Sequence, residues 1–174
     1  GLLNTVVFIP SDTELVQGGP SARRALLGSL LARSSRFDLQ TMQRYTAALR
    51  QRNALLKEPR MPGDAHFLAY EAQMAEHGAR MLASRERLIN SLGPVAQHHV
   101  RLLSRESDHF EIRHETGSPH LNVQSEDAYA ENQGAFQELV DWLKFQWARD
   151  RQRDRDRGRT EHGPHRGDMA LVLN

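Results

Sequence analysis

Cysteine is absent from this 174-residue chain, which excludes a disulfide framework and thiolate chemistry. Lysine is nearly absent: only Lys57 and Lys144 stand beside 21 arginines. Arginine is the cation suited to forked contacts with carboxylate or phosphate, so the basic side chains are biased toward shaped recognition. Aromatic residues make up 6% and apolar residues 39%, with a mean hydropathy of −0.65, and these values predict a lean core and a large surface. The net charge of +1 is too small to select a partner by bulk attraction. No apolar run approaches a membrane span, so no membrane partner is expected. Gly1-Leu-Leu-Asn-Thr also lacks the charged, then apolar, then small-residue order of an export signal, and a cytoplasmic location follows as the expectation.

Several catalytic patterns are missing as well. A phosphate cradle needs a glycine-rich loop ending in Gly-Lys-Ser/Thr. Lys57 lies in Leu-Leu-Lys-Glu and Lys144 in Trp-Leu-Lys-Phe, both helical surroundings, while Gly18-Gly-Pro-Ser21 has no lysine and reads as the start of a helix. No serine sits in a Gly-x-Ser-x-Gly elbow. His162, His165 and Asp168 invite a metal reading, but Pro164 prevents the one-faced helical presentation that such ligands need. The neighbours His98 and His99 point to different helix faces. No catalytic or metal-binding residue is therefore assigned, and the carboxylates, set opposite arginines on helices, read as surface ion pairs.

What the chain does contain is mostly helical periodicity. Residues 4–9 (Asn-Thr-Val-Val-Phe-Ile) predict a short buried strand stopped by Pro10-Ser-Asp12. Pro20 predicts the first turn of a helix to about Arg33, with Leu26, Leu27, Leu30 and Leu31 along one side. Asp38 is the expected cap of a second helix to about Lys57, carrying Leu39, Met42, Leu49 and Leu56. The break Glu58-Pro-Arg-Met-Pro-Gly-Asp64 leads to a third helix from Ala65 to about Ser91. There Phe67, Met74, Met81 and Leu88 recur every seventh residue, the mark of a coiled-coil-like seam.

Gly93-Pro94 is expected to restart a short helix to about Ser104. Alternation through Phe110, Ile112 and His114, a turn at 116–119 and further alternation at Leu121 and Val123 predict a hairpin. A last helix from about Ser125 carries Phe136, Leu139, Val140 and Leu143 and ends in the run Arg149-Asp-Arg-Gln-Arg-Asp-Arg-Asp-Arg157, expected as solvated surface. Then follow the loop Gly158-Arg-Thr-Glu-His-Gly-Pro-His-Arg-Gly167 and the apolar strand Met169–Leu173. Neither terminal strand has an evident partner in the chain, and a sheet elsewhere is expected to receive both. Phosphate-directed contacts are the remaining chemistry, with Arg23, Arg24, Arg50, Arg52, Arg159 and Arg166 as candidates and His165 beside the last two.

Four segments in order resemble the RecF family: Val6-Val-Phe-Ile-Pro10-Ser-Asp12; Leu15-Val-Gln-Gly18-Gly-Pro20-Ser-Ala-Arg23-Arg24; Tyr45 to Lys57; and Arg157-Gly-Arg-Thr160 with Gly163-Pro-His-Arg166 and Asp168. The stretch from about 60 to 150 is similar only in its helical character. The chain departs from the family pattern at Ser11, Gly19, Gly28 and Gly167, and three of these positions are usually acidic there.

The resemblance implies a mainly α fold with a small β part (α+β): a coiled-coil-like arm with a short hairpin, inserted in an ABC-type ATPase head of which only edge strands are present. Residues 1–18 would belong to the head, 19–157 to the arm, and 158–174 to the return. A joint motif of Asp12, Thr160, Gly163, Pro164, His165, Arg166 and Asp168 follows. For the complete protein the family implies ATP and Mg as cofactors, slow ATP hydrolysis, an ATP-dependent homodimer, DNA at gaps or junctions, RecR/RecO-type mediators, RecA loading and a part in the SOS response. This stretch itself would hold no cofactor. The alternative is an interaction scaffold in which the seam and hairpin dock RecR or a second arm without touching DNA. Exposure of Phe67, Met74, Met81 and Leu88 would favour that alternative.

Overall fold

Apolar residues at three- and four-residue intervals dictate helices over most of this chain, and the computed structural model, which describes residues 7, 9–60, 63–104, 108–116 and 133–174, places them there. A 3-10 turn at Pro10–Thr13 runs into α1 (Glu14–Gln17) and is followed by α2 (Pro20–Ser34), α3 (Arg36–Leu56) and α4 (Asp64–Leu103). Strand β1 (Phe110–Glu115), helix α5 (Gln133–Arg157) and strand β2 (Asp168–Leu173) complete the order. The mainly helical fold with a small sheet is as the sequence predicts. Among the described residues no helix is long and apolar enough to cross a membrane.

Helices α3, α4 and α5 enclose one core around Tyr45, Met74, Leu82, Leu139, Leu143 and Trp147. Small residues on α4 allow its neighbours to approach closely. A Cβ added at Gly78 would stand 3.2 Å from the Tyr45 ring and 3.3 Å from Pro164. The seven-residue repeat is part of this core: Phe67, Met74 and Met81 are buried, and Leu88 packs on a second cluster. The seam is therefore covered within the chain rather than offered to a partner.

Several expectations are corrected. The cap of α3 is Ser35, whose Oγ accepts the Asp38 N–H at 3.2 Å, whereas the Asp38 carboxylate accepts the Ser84 hydroxyl at 2.7 Å. Asp64 opens α4 without capping it, with Gly63 at the cap position. The buried stripe of α3 is Thr41, Tyr45, Ala48, Arg52 and Leu56. Met42 and Leu49 only flank it, and Leu39 is exposed. Helix α4 does not end near Ser91 but continues through Gly93-Pro94. Pro94 removes the N–H that would meet the Asn90 carbonyl, yet both residues face solvent, where water can take that bond.

The largest correction concerns the strands. β2 finds its partner inside the chain, running antiparallel to β1 with Ile112 opposite Leu171 and His114 opposite Met169. Met169 is buried with Leu27 and Ile89, so the sheet lies on α4 and α2. The expected hairpin partner at 121–123 lies outside the described residues. So does most of the expected strand at 4–9, of which only Val7 and Ile9 are described, both exposed and without strand pairing.

Candidate functional site

The residues singled out by the sequence converge where α5 ends. Gly158, at φ +64°, closes the helix: its N–H meets the Arg155 carbonyl at 2.9 Å and the Arg159 N–H meets that of Asp154 at 3.0 Å. This paired closure needs a left-handed residue, which glycine supplies without steric cost. The chain then turns back into the bundle. Thr160 is 1% exposed, and its N–H and hydroxyl both donate to Asn53 Oδ1, at 2.8 and 2.7 Å.

Arg52 is the centre of this site. It is fully buried, and its guanidinium donates to Glu71 at 3.0 Å, to Asp154 at 2.7 Å, to the Thr160 hydroxyl at 2.7 Å and to the Trp147 carbonyl at 3.1 Å. One side chain thus ties α3 to α4, α5 and the loop. Arg151 adds a second cation, reaching Glu71 at 2.9 Å and lying 4.8 Å from the centre of the Phe67 ring. The run 149–157 is accordingly not all solvated surface, since Asp150 and Asp154 are buried on its inner side.

The loop's own cations have a partner of their own. Arg157, Arg159 and Arg166 reach the Glu161 carboxylate at 2.6, 2.6 and 3.1 Å. Their donors, Arg157 foremost, hold the Glu161 carboxyl below its ordinary range. The anion held by this loop is thus its own glutamate. Trp147 Nε1 donates to the His162 carbonyl at 2.8 Å, and Arg85 donates to the Pro164 carbonyl. At the start of β2, Arg23 grips Asp168 with two bonds, of 3.0 and 2.7 Å, and donates to the carbonyls of Leu15 and Gly18. That pairing lowers the Asp168 pKa. Arg24 donates to the Gly167 carbonyl at 3.3 Å.

His165 is held at both ring nitrogens. Nε2 faces the Thr160 carbonyl at 3.0 Å and must carry the hydrogen, so Nδ1 accepts the Tyr45 hydroxyl at 2.7 Å. A proton on Nδ1 would break that arrangement. Burial holds the His165 pKa down at about 4, against an ordinary 6.5; the Thr160 bond opposes this, and Arg166 and Arg24 add to it. Burial likewise pushes the Tyr45 hydroxyl up.

A histidine with a depressed pKa stabilises the folded chain fully above its unfolded pKa, and that stability is lost as pH falls toward the folded value. Urea unfolding is therefore expected to show a loss of up to about 3 kcal/mol between pH 6.5 and 4, from this group. His77 is shifted the same way by burial, so the share of His165 is read by comparison with His165→Gln, whose profile should be flatter. Equal profiles would exclude the neutral His165 as the cause.

Thr160, Gly163, Pro164, His165 and Asp168 are thus brought together with Arg23, Arg24 and Arg52. Asp12 is not: it accepts the Ile9 N–H at 2.9 Å in the first turn. Arg50 is exposed on the opposite side of α3, and Arg52, named with it as a phosphate contact, is enclosed away from solvent. Sequence reasoning missed Glu71, Asn53, Asp154, Tyr45, Trp147 and Arg85 as members of the site. Spacing could have found two of them. Glu71 lies between Phe67 and Met74 on one helical stripe, and Asp154 continues the stripe of Leu143, Trp147 and Asp150.

No family model matches the chain. Curated proteins do. The chain is 35% identical over 176 residues to the DNA replication and repair protein RecF of Thermosynechococcus vestitus, covering 100% of the chain and 44% of that protein. It is 32% identical to RecF of Microcystis aeruginosa and 30% identical to that of Streptococcus pyogenes, again along its whole length. It spans less than half of each relative. Among solved structures, a recombination mediator RecF bound to an ATP analogue in the RecFOR pathway superposes with a TM-score of 0.84 over 96% of the chain and 42% of that protein, at 24% identity. An ATP-bound form superposes with a TM-score of 0.80. At that identity the superpositions establish the shared fold.

Proposed function

Because this chain belongs to the RecF family along its whole length, we propose that it is the helical arm of a RecF-like DNA repair protein. In this reading residues 19–157 form the arm, 1–18 and 158–174 join it to an ATPase head, and the arm carries head engagement to DNA. The complete protein would bind ATP with Mg, dimerise on it, and work with RecR/RecO-type mediators in the cytoplasm to load RecA on gapped DNA.

The observation that carries the reading is the Arg52 junction. A movement of the loop at 158–167 would disturb α3, α4 and α5 together, because the buried guanidinium carried by α3 bonds to α4, α5 and the loop. The residues present do not fit a nucleotide site of their own. Lys57 packs beside Gly158, where an added Cβ would stand 3.7 Å from its side chain, and Lys144 lies on α5 beside Asp141 at 3.6 Å, neither near a glycine-rich phosphate loop. The scaffold alternative loses the exposed seam on which it depended, since Phe67, Met74 and Met81 are buried.

A gel-shift titration of the chain on a gapped duplex tests the reading. Binding is expected to weaken steeply with salt, with a log–log slope of about −0.9 for each phosphate neutralised. No shift at the lowest salt would reject DNA contact by the arm and return the scaffold to first place.

A further inference from the structure

Charge is unevenly divided among the helices. Helix α4 has four arginines and four carboxylates, and α5 has six cations and five carboxylates, but α2 and α3 together have seven arginines and a single carboxylate, Asp38. That one is turned inward to Ser84. Three of the seven arginines are engaged internally: Arg23 on Asp168, Arg24 on the Gly167 carbonyl, and Arg52 in the core. The other four, Arg33, Arg36, Arg44 and Arg50, are exposed and make no ion pair or hydrogen bond among the described residues. The exposed arginines of α5 differ, because Arg149 and Arg153 pair with Asp150 and Arg157 pairs with Glu161.

Their placement on α3 follows from the helical period. The buried stripe through Tyr45, Ala48 and Arg52 leaves Arg36, Gln43 and Arg50 on the far side, one above another at seven-residue steps. Each step is about 10 Å, so the row is about 21 Å long, with Arg44 on its flank and Arg33 prolonging it from the end of α2. Unneutralised like charges in a row are a cost to the helix unless an external anion compensates them. A guanidinium fork matches a phosphate oxygen pair, and the Gln43 amide adds a neutral donor. Aromatic platforms for unstacked bases are missing from this face. Phe37, the exposed aromatic nearest to it, is covered by Arg80 at 5.6 Å from its centre.

We propose that the outer face of α3, extended by Arg33, is the surface by which this chain holds the phosphate backbone of duplex DNA without reading its sequence. The proposal rests on the DNA-binding reading above and gives it a place, apart from the loop at 158–167, whose arginines are bonded to Glu161. The test is fluorescence anisotropy of the 174-residue chain with a labelled duplex and a labelled single strand, between about 50 and 200 mM salt. The chain is compared with R36A/R44A/R50A and with a control, R149A/R153A/R157A.

The first variant should lose at least tenfold in duplex affinity at the lowest salt. Its salt slope should be shallower by about 2 to 3, one phosphate per arginine removed. The control should remain within about twofold of the parent, because its arginines already face carboxylates. Alanine preserves helix propensity at Arg36, Arg44 and Arg50, none of which holds a buried carboxylate, so the thermal melt of the first variant should stay close to the parent's. If the chain binds duplex and the first variant binds equally well, the surface is wrong and DNA binding stands. If the chain binds no duplex at the lowest salt, both fall. Stronger binding of the single strand, lost in the first variant, would overturn the duplex assignment.

Discussion

Arg52→Met is expected to lower the unfolding free energy by about 3–5 kcal/mol, a large fraction of the stability of an ordinary domain. The thioether fills much of the same space, so the loss comes chiefly from charge. Glu71 and Asp154, at 2% and 0% exposure, would keep their carboxylates in the interior with only Arg151 left to offset the first of them. The Trp147 carbonyl and the Thr160 hydroxyl would each lose a donor as well. Arg52→Lys should recover little, because one ammonium cannot reach acceptors on two helices and a loop as a planar fork does. Urea unfolding followed by circular dichroism measures the loss. The triple variant R52M/E71Q/D154N should be more stable than R52M alone, since it removes the stranded charges. A loss below about 1 kcal/mol for R52M would mean that the junction is not held by charge.

Gly163→Ala is expected to cost about 4 kcal/mol, through two effects that add at one atom. Its φ of +129° lies where side chains other than hydrogen are strained, and a Cβ built there would stand 2.8 Å from the Tyr45 hydroxyl and 3.2 Å from the Trp147 ring. Both neighbours are themselves buried, so neither can retreat. The loop should be displaced, and with it the Tyr45–His165 bond. A flattened dependence of stability on pH between 6.5 and 4 in this variant would be the second sign of that displacement, whereas wild-type stability in Gly163→Ala would show that the loop accommodates a methyl group.

Much of the fold was legible because periodicity is a local property. Pro20 and its leucines mark α2, the seven-residue repeat marks α4, and Leu139, Val140 and Leu143 mark α5. The glycines at 158 and 163 could be read as turn positions for the same reason. Polar residues in the apolar stripes were harder to read. Arg50 and Arg52 are two residues apart and chemically identical, yet helical geometry sends one to solvent and the other to the core. Choosing between them required knowing that Tyr45 and Ala48, rather than Leu39 and Met42, set the buried side of α3. The pairing of β1 with β2 was illegible for a different reason. More than fifty residues separate the two strands in sequence, and no turn chemistry joins them.

The sequence alone determined where most of the helices lie, the apolar sides of α2, α4 and α5, the glycine turns after α5, and, through four ordered segments, the family. Those features depend on residues within a few positions of one another, where spacing and backbone preference suffice. Tertiary structure alone decided that Arg52 is a brace and Arg36, Arg44 and Arg50 are exposed, that the loop's cations meet Glu161, and that β2 finds its sheet within this chain. The reason is that a charge takes its role from what surrounds it, and those neighbours are brought together only by the packing of distant segments.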